Sequence, residues 1–500
     1  MKFKVSSHNI IVLLLGMLLL DSCQQAQIPT DFIESNQLPD IYPDYCGVTV
    51  PINMAPLHFQ LKYKADEVIT RMTGDNGVIV CSGRKVMPEF DEWRGLTKPG
   101  IGGNITVEMF ALQNGQWLRY KPFNIQVSPD SIDPWLSYRL IAPSYVTFEE
   151  LTINQRSLES YEERVIYNNM LCSTEKMGQC INCHSYQSWN PNKMQFHARL
   201  NHAGTLINMD GLLKKVNLKC DSTISSGVYP AWHPTLNLIA YSTNVTRQMF
   251  QLSHLNKIEV LDTNSDLILY DIDHNEVSNI QAEPDEFEIF PAWSPDGQYL
   301  YYGSAHFELQ DTIGAEAESI LRYKDFKYNI YRKHFDKKNH SFGPRELVFD
   351  AASQGLSATL PRISPDGRFL LISVGEWGCF HIWHRDADLW LIDLTSGETR
   401  PLKEANSESV ESYHTWSSSG RWIVFSSRRT DDNFTRPFFA HIDRDGHVTK
   451  PFELPTEDPN YHRQLLKSYN VPELMKGPVT ITPHEFADAL KQESVQAVFK

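Results

Sequence analysis

Apolar residues between positions 41 and about 140 come in short runs, each closed by Pro, Gly or Asn. Examples are Gly47–Val50, His58–Tyr63, Gly77–Cys81, Ile105–Leu112 and Trp117–Tyr120. Runs of this length with such turns predict strands. Asn114-Gly115 between two of them is a strong hairpin signal. About seven strands in this stretch predict a small β-sandwich-like domain over 41–143. The period then changes. Thr147-Phe148-Glu149-Glu150 has the form of a helix-capping box. Leu151, Leu158, Tyr161, Val165 and Ile166 follow at helical spacing. These predict an amphipathic helix to about Met170 within a short segment, 144–199.

From about residue 200 the strand pattern repeats. One phrase recurs as Trp232-His233-Pro234-Thr235, Trp293-Ser294-Pro295-Asp296-Gly297, Ile363-Ser364-Pro365-Asp366-Gly367 and Trp416-Ser417-Ser418-Ser419-Gly420. Each copy is followed by an apolar strand, and the copies begin 61, 70 and 53 residues apart. Proline presets φ in the turn and glycine accepts positive φ. Four strands per repeat of roughly fifty residues is a β-propeller blade. Four units and a partial one at Gly204–Leu218 give five blades over 200–458, or six if neighbouring segments complete another. Residues 459–500 form a tail. In it Thr482-Pro483-His484-Glu485 starts a short helix by a capping box with proline in its first turn.

The ends and the charge fix the setting. Lys2 and Lys4 precede an apolar run, Ile10–Leu20, too short to span a membrane comfortably. It closes on Leu20-Asp21-Ser22-Cys23, which resembles a bacterial lipoprotein signal box, with Asp21 a departure from it. The expectation is a signal peptide, 1–23, and lipid attachment at Cys23. A polar tether, 24–40, and a soluble body in the cell envelope would follow. With a net charge of −15 and a pI near 5.6, the chain is a poor nucleic-acid binder.

The chemistry gathers in Cys180-Ile181-Asn182-Cys183-His184. Cys-x-x-Cys-His is the spacing at which two thiols take up the vinyl groups of a haem and the imidazole ligates its iron. With 8 Cys and 18 His in 500 residues, chance gives this spacing about 0.005 times. A redox dithiol, or half a zinc site with Cys172, is the competing account. No second Cys-x-x-Cys and no thioredoxin pattern supports either. His197 and Met194 lie close enough in sequence to supply the iron's sixth ligand, with His202 and Met475 as alternatives. Cys46 could pair with Cys81 and Cys172 with Cys220, leaving Cys379 over. His381 and His384 are read as strand residues on opposite faces. The acids between Ile258 and Asp273 fit no calcium-loop spacing and read as blade turns and solvated edges.

The Trp-Ser-Pro-Asp-Gly phrase resembles the WD40-like PD repeat of TolB-type propellers. Together the signal box, the β-rich first domain, one Cys-x-x-Cys-His and the repeats resemble TolB-like propeller lipoproteins with a single haem c. The resemblance implies a mainly β chain with a six-bladed propeller. It also implies anchorage to a membrane by lipid, on the periplasmic side of the outer membrane. One-electron transfer to a redox or envelope protein partner is the expected activity. An envelope binding or scaffold protein with structural haem, and a haem peroxidase-like enzyme, are the alternatives.

Overall fold

The computed structural model describes residues 27–98, 103–142, 150–251, 256–283, 285–308, 310 and 313–500. The signal segment with Cys23 and the Thr147 capping box lie outside these residues. Among them no helix is long and apolar enough to cross a membrane.

Residues 33–128 form a seven-stranded sheet and a three-stranded sheet, Ile41–Tyr42, Phe59–Leu61 and Lys85–Val86, over one core. Asn114 and Gly115 take φ of 51° and 79° between paired Gln113 and Gln116, the two-residue hairpin expected there. The sandwich-like unit ends at Ser128. The next strand, Trp135–Ile141, already belongs to a second body.

That body is a propeller of six four-stranded antiparallel blades, two of them extended by a parallel outer strand. Their inner strands touch in cyclic order: Ser468–Met475, Gln179–Gln187, Val228–Trp232, Glu286–Trp293, Ser357–Ile363 and Glu411–Trp416. We number the blades 1 to 6 in this order. The propeller therefore starts near 135, not 200, and part of the expected tail is its last strand. Blade 1 takes three strands from Trp135–Ile141, Thr152–Ser157 and Glu163–Asn168, and its inner strand from the far end of the chain. Trp135 pairs with Met475, which closes the ring.

The helix expected before the haem motif is thus a strand pair. Leu151 and Leu158 are buried at the ends of the first strand, and Ile166 and Tyr167 in the second. A seven-residue spacing fits two strands around a short turn as well as it fits a helix. β-branched Thr152, Ile153, Val165 and Ile166, with the serines at 157 and 160, favour the strands. The tail helix, Pro483–Lys491, has the expected capping box. Its Phe486, Ala487 and Leu490 pack into the core between blades 1 and 2. Beyond it, Val495–Gln496 and Val498–Phe499 add outer strands to blades 2 and 3. Cys46, Cys81, Cys172, Cys180, Cys183, Cys220 and Cys379 are free thiols, so neither suggested disulfide is present.

Candidate functional site

Every inner strand is broken at one residue with positive φ: Cys183 (58°), Tyr229 (49°), Phe290 (55°), Leu360 (55°), Tyr413 (45°) and Val471 (50°). Each break is a β-bulge, where the register to the next strand shifts. Proline follows in four copies and His184 or His414 in the other two. Cys183-His184-Ser185-Tyr186 is therefore blade 2's version of Tyr229-Pro230-Ala231-Trp232. The Cys-x-x-Cys-His motif lies on a strand and repeats a structural position of the propeller.

The six bulge residues line a cavity of about 410 Å³ on the propeller axis, together with Cys180, Asn182 and His184. Both thiols are half-buried. His184 is 1% exposed, and neither ring nitrogen has a hydrogen-bond partner. Burial, helped by the charge of Arg139, pushes its pKa down to about 3, against the opposing pull of the Val471 and Ser137 backbone groups beside the ring. The ring is a neutral imidazole with free donor capacity. His414, at the same place in blade 6, differs: its Nε2 lies 3.1 Å from the Leu371 carbonyl.

Four arginines reach this cavity, although the chain as a whole is acidic. Arg199 sits opposite Cys180 across the strand pair. Arg139 has a buried, unpartnered Nε. Burial raises the Cys183 thiol pKa, opposed by the Tyr229 backbone and then by Arg199 and Arg139. On the far wall Arg362 pairs with Glu473 at 3.2 Å, and Arg428 lies 3.8 Å from the Trp383 ring centroid. Glu473 is the one carboxylate among the lining residues. Much of the rest is apolar or aromatic, including Phe290, Leu360 and Ile382.

A long hairpin, Leu238–Phe250 and Ile258–Asp271, runs out of blade 3 and contributes Thr246, Gln248 and Val260 to the cavity. It reaches blade 5, where Glu259 accepts from Trp377 Nε1 and pairs with His384 Nε2, each at 3.0 Å. His381 and His384 are not strand residues. They flank the short 3-10 helix His381–Trp383, and their rings lie 5.5 Å apart.

The structure brings together Cys180, Cys183 and His184 but neither suggested sixth ligand. Met194 is fully buried in the core with Phe196, Leu206 and Met475. His197 is buried with Nδ1 3.2 Å from Thr205 Oγ1. Both belong to the second strand of blade 2, about 4.8 Å further from the axis than the motif strand. His202 is in a turn with φ of 53°. Among the described residues lining the cavity, His184 is the sole histidine, methionine is absent, and Tyr229 and Tyr413 supply phenols. The arginines were missed in the sequence. Arg362 was within reach there, because it directly precedes Ile363, the first residue of the third of the four phrases.

No protein-family model matches the chain, and no curated protein matches it. Solved structures similar to it include Kuenenia stuttgartiensis hydrazine synthase (13% identity, 54% of this chain and 65% of that one, TM-score 0.32). Prolyl oligopeptidase B from Galerina marginata matches at 10% identity over 69% of this chain and 42% of its own, TM-score 0.34. Synechocystis apocarotenoid oxygenase matches at 11% identity over 87% and 95%, TM-score 0.36. The chain thus spans under two thirds of the first two structures. Likenesses this slight carry nothing about the site.

Proposed function

We propose that this is a redox protein of the cell envelope, with one haem c held covalently in the axial cavity. Cys180 and Cys183 would form the thioethers, each sulfur adding to one vinyl carbon and its proton to the other. His184 would be the axial ligand. The observation that carries this reading is the contrast between two histidines in one register. His414 is tied to a carbonyl, whereas His184, beside two half-buried thiols, has both nitrogens buried and unpartnered. An orphaned buried imidazole calls for a partner. The cavity supports the reading: its volume lies in the range of about 300–1,000 Å³ for ligand and cofactor sites. Its apolar walls suit a macrocycle and its arginines suit carboxylates.

The function favoured is one-electron transfer to a protein partner, from a membrane anchor at Cys23. A second reading is favoured by the lack of another imidazole or thioether among the described lining residues. In it the iron keeps an open face and binds a small ligand.

One preparation tests both. The chain is matured with a haem c attachment system and stained for haem on a denaturing gel, then read by optical and EPR spectroscopy. Staining is expected, and is expected to vanish in Cys180→Ala/Cys183→Ala. A low-spin spectrum supports electron transfer, and a high-spin one ligand binding. A wild-type chain without covalent haem overturns both and leaves a binding propeller.

A further inference from the structure

The inner faces of blades 3 and 4 meet in a layer that holds five buried oxygen atoms without partners. On blade 4, Glu288 is fully buried and pairs across the strands with Ser304. Tyr302, two residues from Ser304, shares this face and packs with Leu267 and Leu269 of blade 3. On blade 3, Asn244 and Ser265 are cross-strand partners, one step beyond the Ser242–Leu267 pair on the face toward blade 4. Ser242 Oγ accepts from the Phe290 backbone at 3.0 Å. This bond sets the level of the two blades, with Glu288 two residues away on one side and Asn244 on the other.

In this layer both carboxylate oxygens of Glu288, Asn244 Oδ1, Ser265 Oγ and Tyr302 OH are buried and unpartnered. The amide nitrogen of Asn244 is spent on Asp262, at 2.7 Å, which leaves its carbonyl oxygen over. The surroundings are acidic. Asp266, Glu286 and Glu283 act on Glu288, with Arg345 opposing them and Lys333 also in range. Burial and these acids raise the Glu288 carboxyl to about 8. A buried carboxylate without a hydrogen-bond donor is expensive, and every vacant atom here is an oxygen.

We propose that this layer between blades 3 and 4 is a site for a hard, oxygen-liganded cation of the calcium class. Glu288 supplies the charge, and Asn244 Oδ1, Ser265 Oγ and Tyr302 OH complete the ligand set. Carboxylate, carbonyl and hydroxyl oxygens are the ligands such ions take. The cation would join the two blades at the base of the hairpin that roofs the axial cavity. The proposal is independent of haem.

The test uses the full chain, stripped with chelator and dialysed against calcium, with magnesium as comparison. Bound metal is counted and thermal unfolding recorded with and without it. Calcium is expected to bind and to raise the unfolding temperature. Glu288→Gln is expected to lose both effects, and Tyr302→Phe, which keeps the ring, to weaken binding several-fold. Asp443, Asp445 and His447 on an exposed turn could also hold a metal ion. Calcium binding that survives Glu288→Gln but not Asp443→Asn overturns the proposal. So does a wild-type chain that binds no calcium.

Discussion

Arg139 lowers the proton affinity of both Cys183 and His184, and Arg199 that of Cys183. With haem held by Cys180, Cys183 and His184 they would add positive charge to its surroundings. Positive charge there disfavours the ferric state, so it raises the reduction potential. Arg139→Gln and Arg199→Gln are expected to lower the potential by roughly 60 mV, the one-electron equivalent of tenfold. Arg139→Lys should restore much of it, and spectroelectrochemistry of the haem-loaded protein is the measurement. A purely structural arginine would change stability and leave the potential alone. That Cys180, Cys183 and His184 belong together was legible in the sequence from their spacing, and all three line one cavity. Their shared register with Tyr413-His414 was not, because blade 2 lacks the proline and tryptophan that mark the other phrases. His197 and Met194 were picked by nearness in sequence, but the segment continues as a strand instead of folding back over the axis.

Strands and turns of the repeats were the most legible elements. Gly297, Gly367 and Gly420 take φ of 65°, 76° and 66° in their phrases. In blade 4, Ser294 Oγ accepts from the Tyr299 backbone at 2.9 Å and lies 2.5 Å from Asp296 Oδ1. The blade 3 copy replaces this serine by His233, whose Nδ1 accepts from the Leu236 backbone at 2.9 Å. The odd phrase thus keeps the function of the turn with a different acceptor. His233 Nε2 lies 3.2 Å from the Gly297 carbonyl, and a Cβ on Gly297 would run into the His233 ring. Gly297→Ala joins an unfavourable φ to this clash and is expected to cost about 2–4 kcal/mol. Denaturant unfolding checks it. The element misread, 147–170, failed because a heptad of apolar residues does not distinguish a helix from two strands with a turn between them.

For the whole molecule, burial sets an acid limit. His197, His381 and His414 are pushed down to about 3 and His233 to about 4, burial being the main cause in each. Their folded pKa values lie below the ordinary 6.5, so the unfolded chain binds more protons. Their contribution to stability is complete above pH 6.5 and declines as the pH falls toward 3. Asp262, raised to about 7, and Asp266 and Asp388, raised to about 6, act in the opposite sense. What they contribute is whole below their unfolded pKa near 4 and lost as the pH rises through 6–7. Denaturation midpoints are therefore expected to rise from about pH 3 to 6, where four imidazoles outweigh three carboxyls, and to flatten above about 6.5. Asp262 and Asp266 were read in the sequence as blade turns or solvated edges. Asp262 is instead buried, because the hairpin continues past its blade and covers it.

The closure of blade 1 by Ser468–Met475 also orders events in time. Pairing that joins distant parts of a chain is slow to form, and here it joins Trp135–Ile141 to Ser468–Met475, far along the chain. Until that segment docks, the inner strand of blade 2 has no neighbour on one side. Cys180 and Cys183 then lie at an open edge. Once Val471 and Glu473 arrive, the wall is complete. Ring closure thus sets a deadline for any enzyme that must reach these thiols, and slower closure would lengthen its working window.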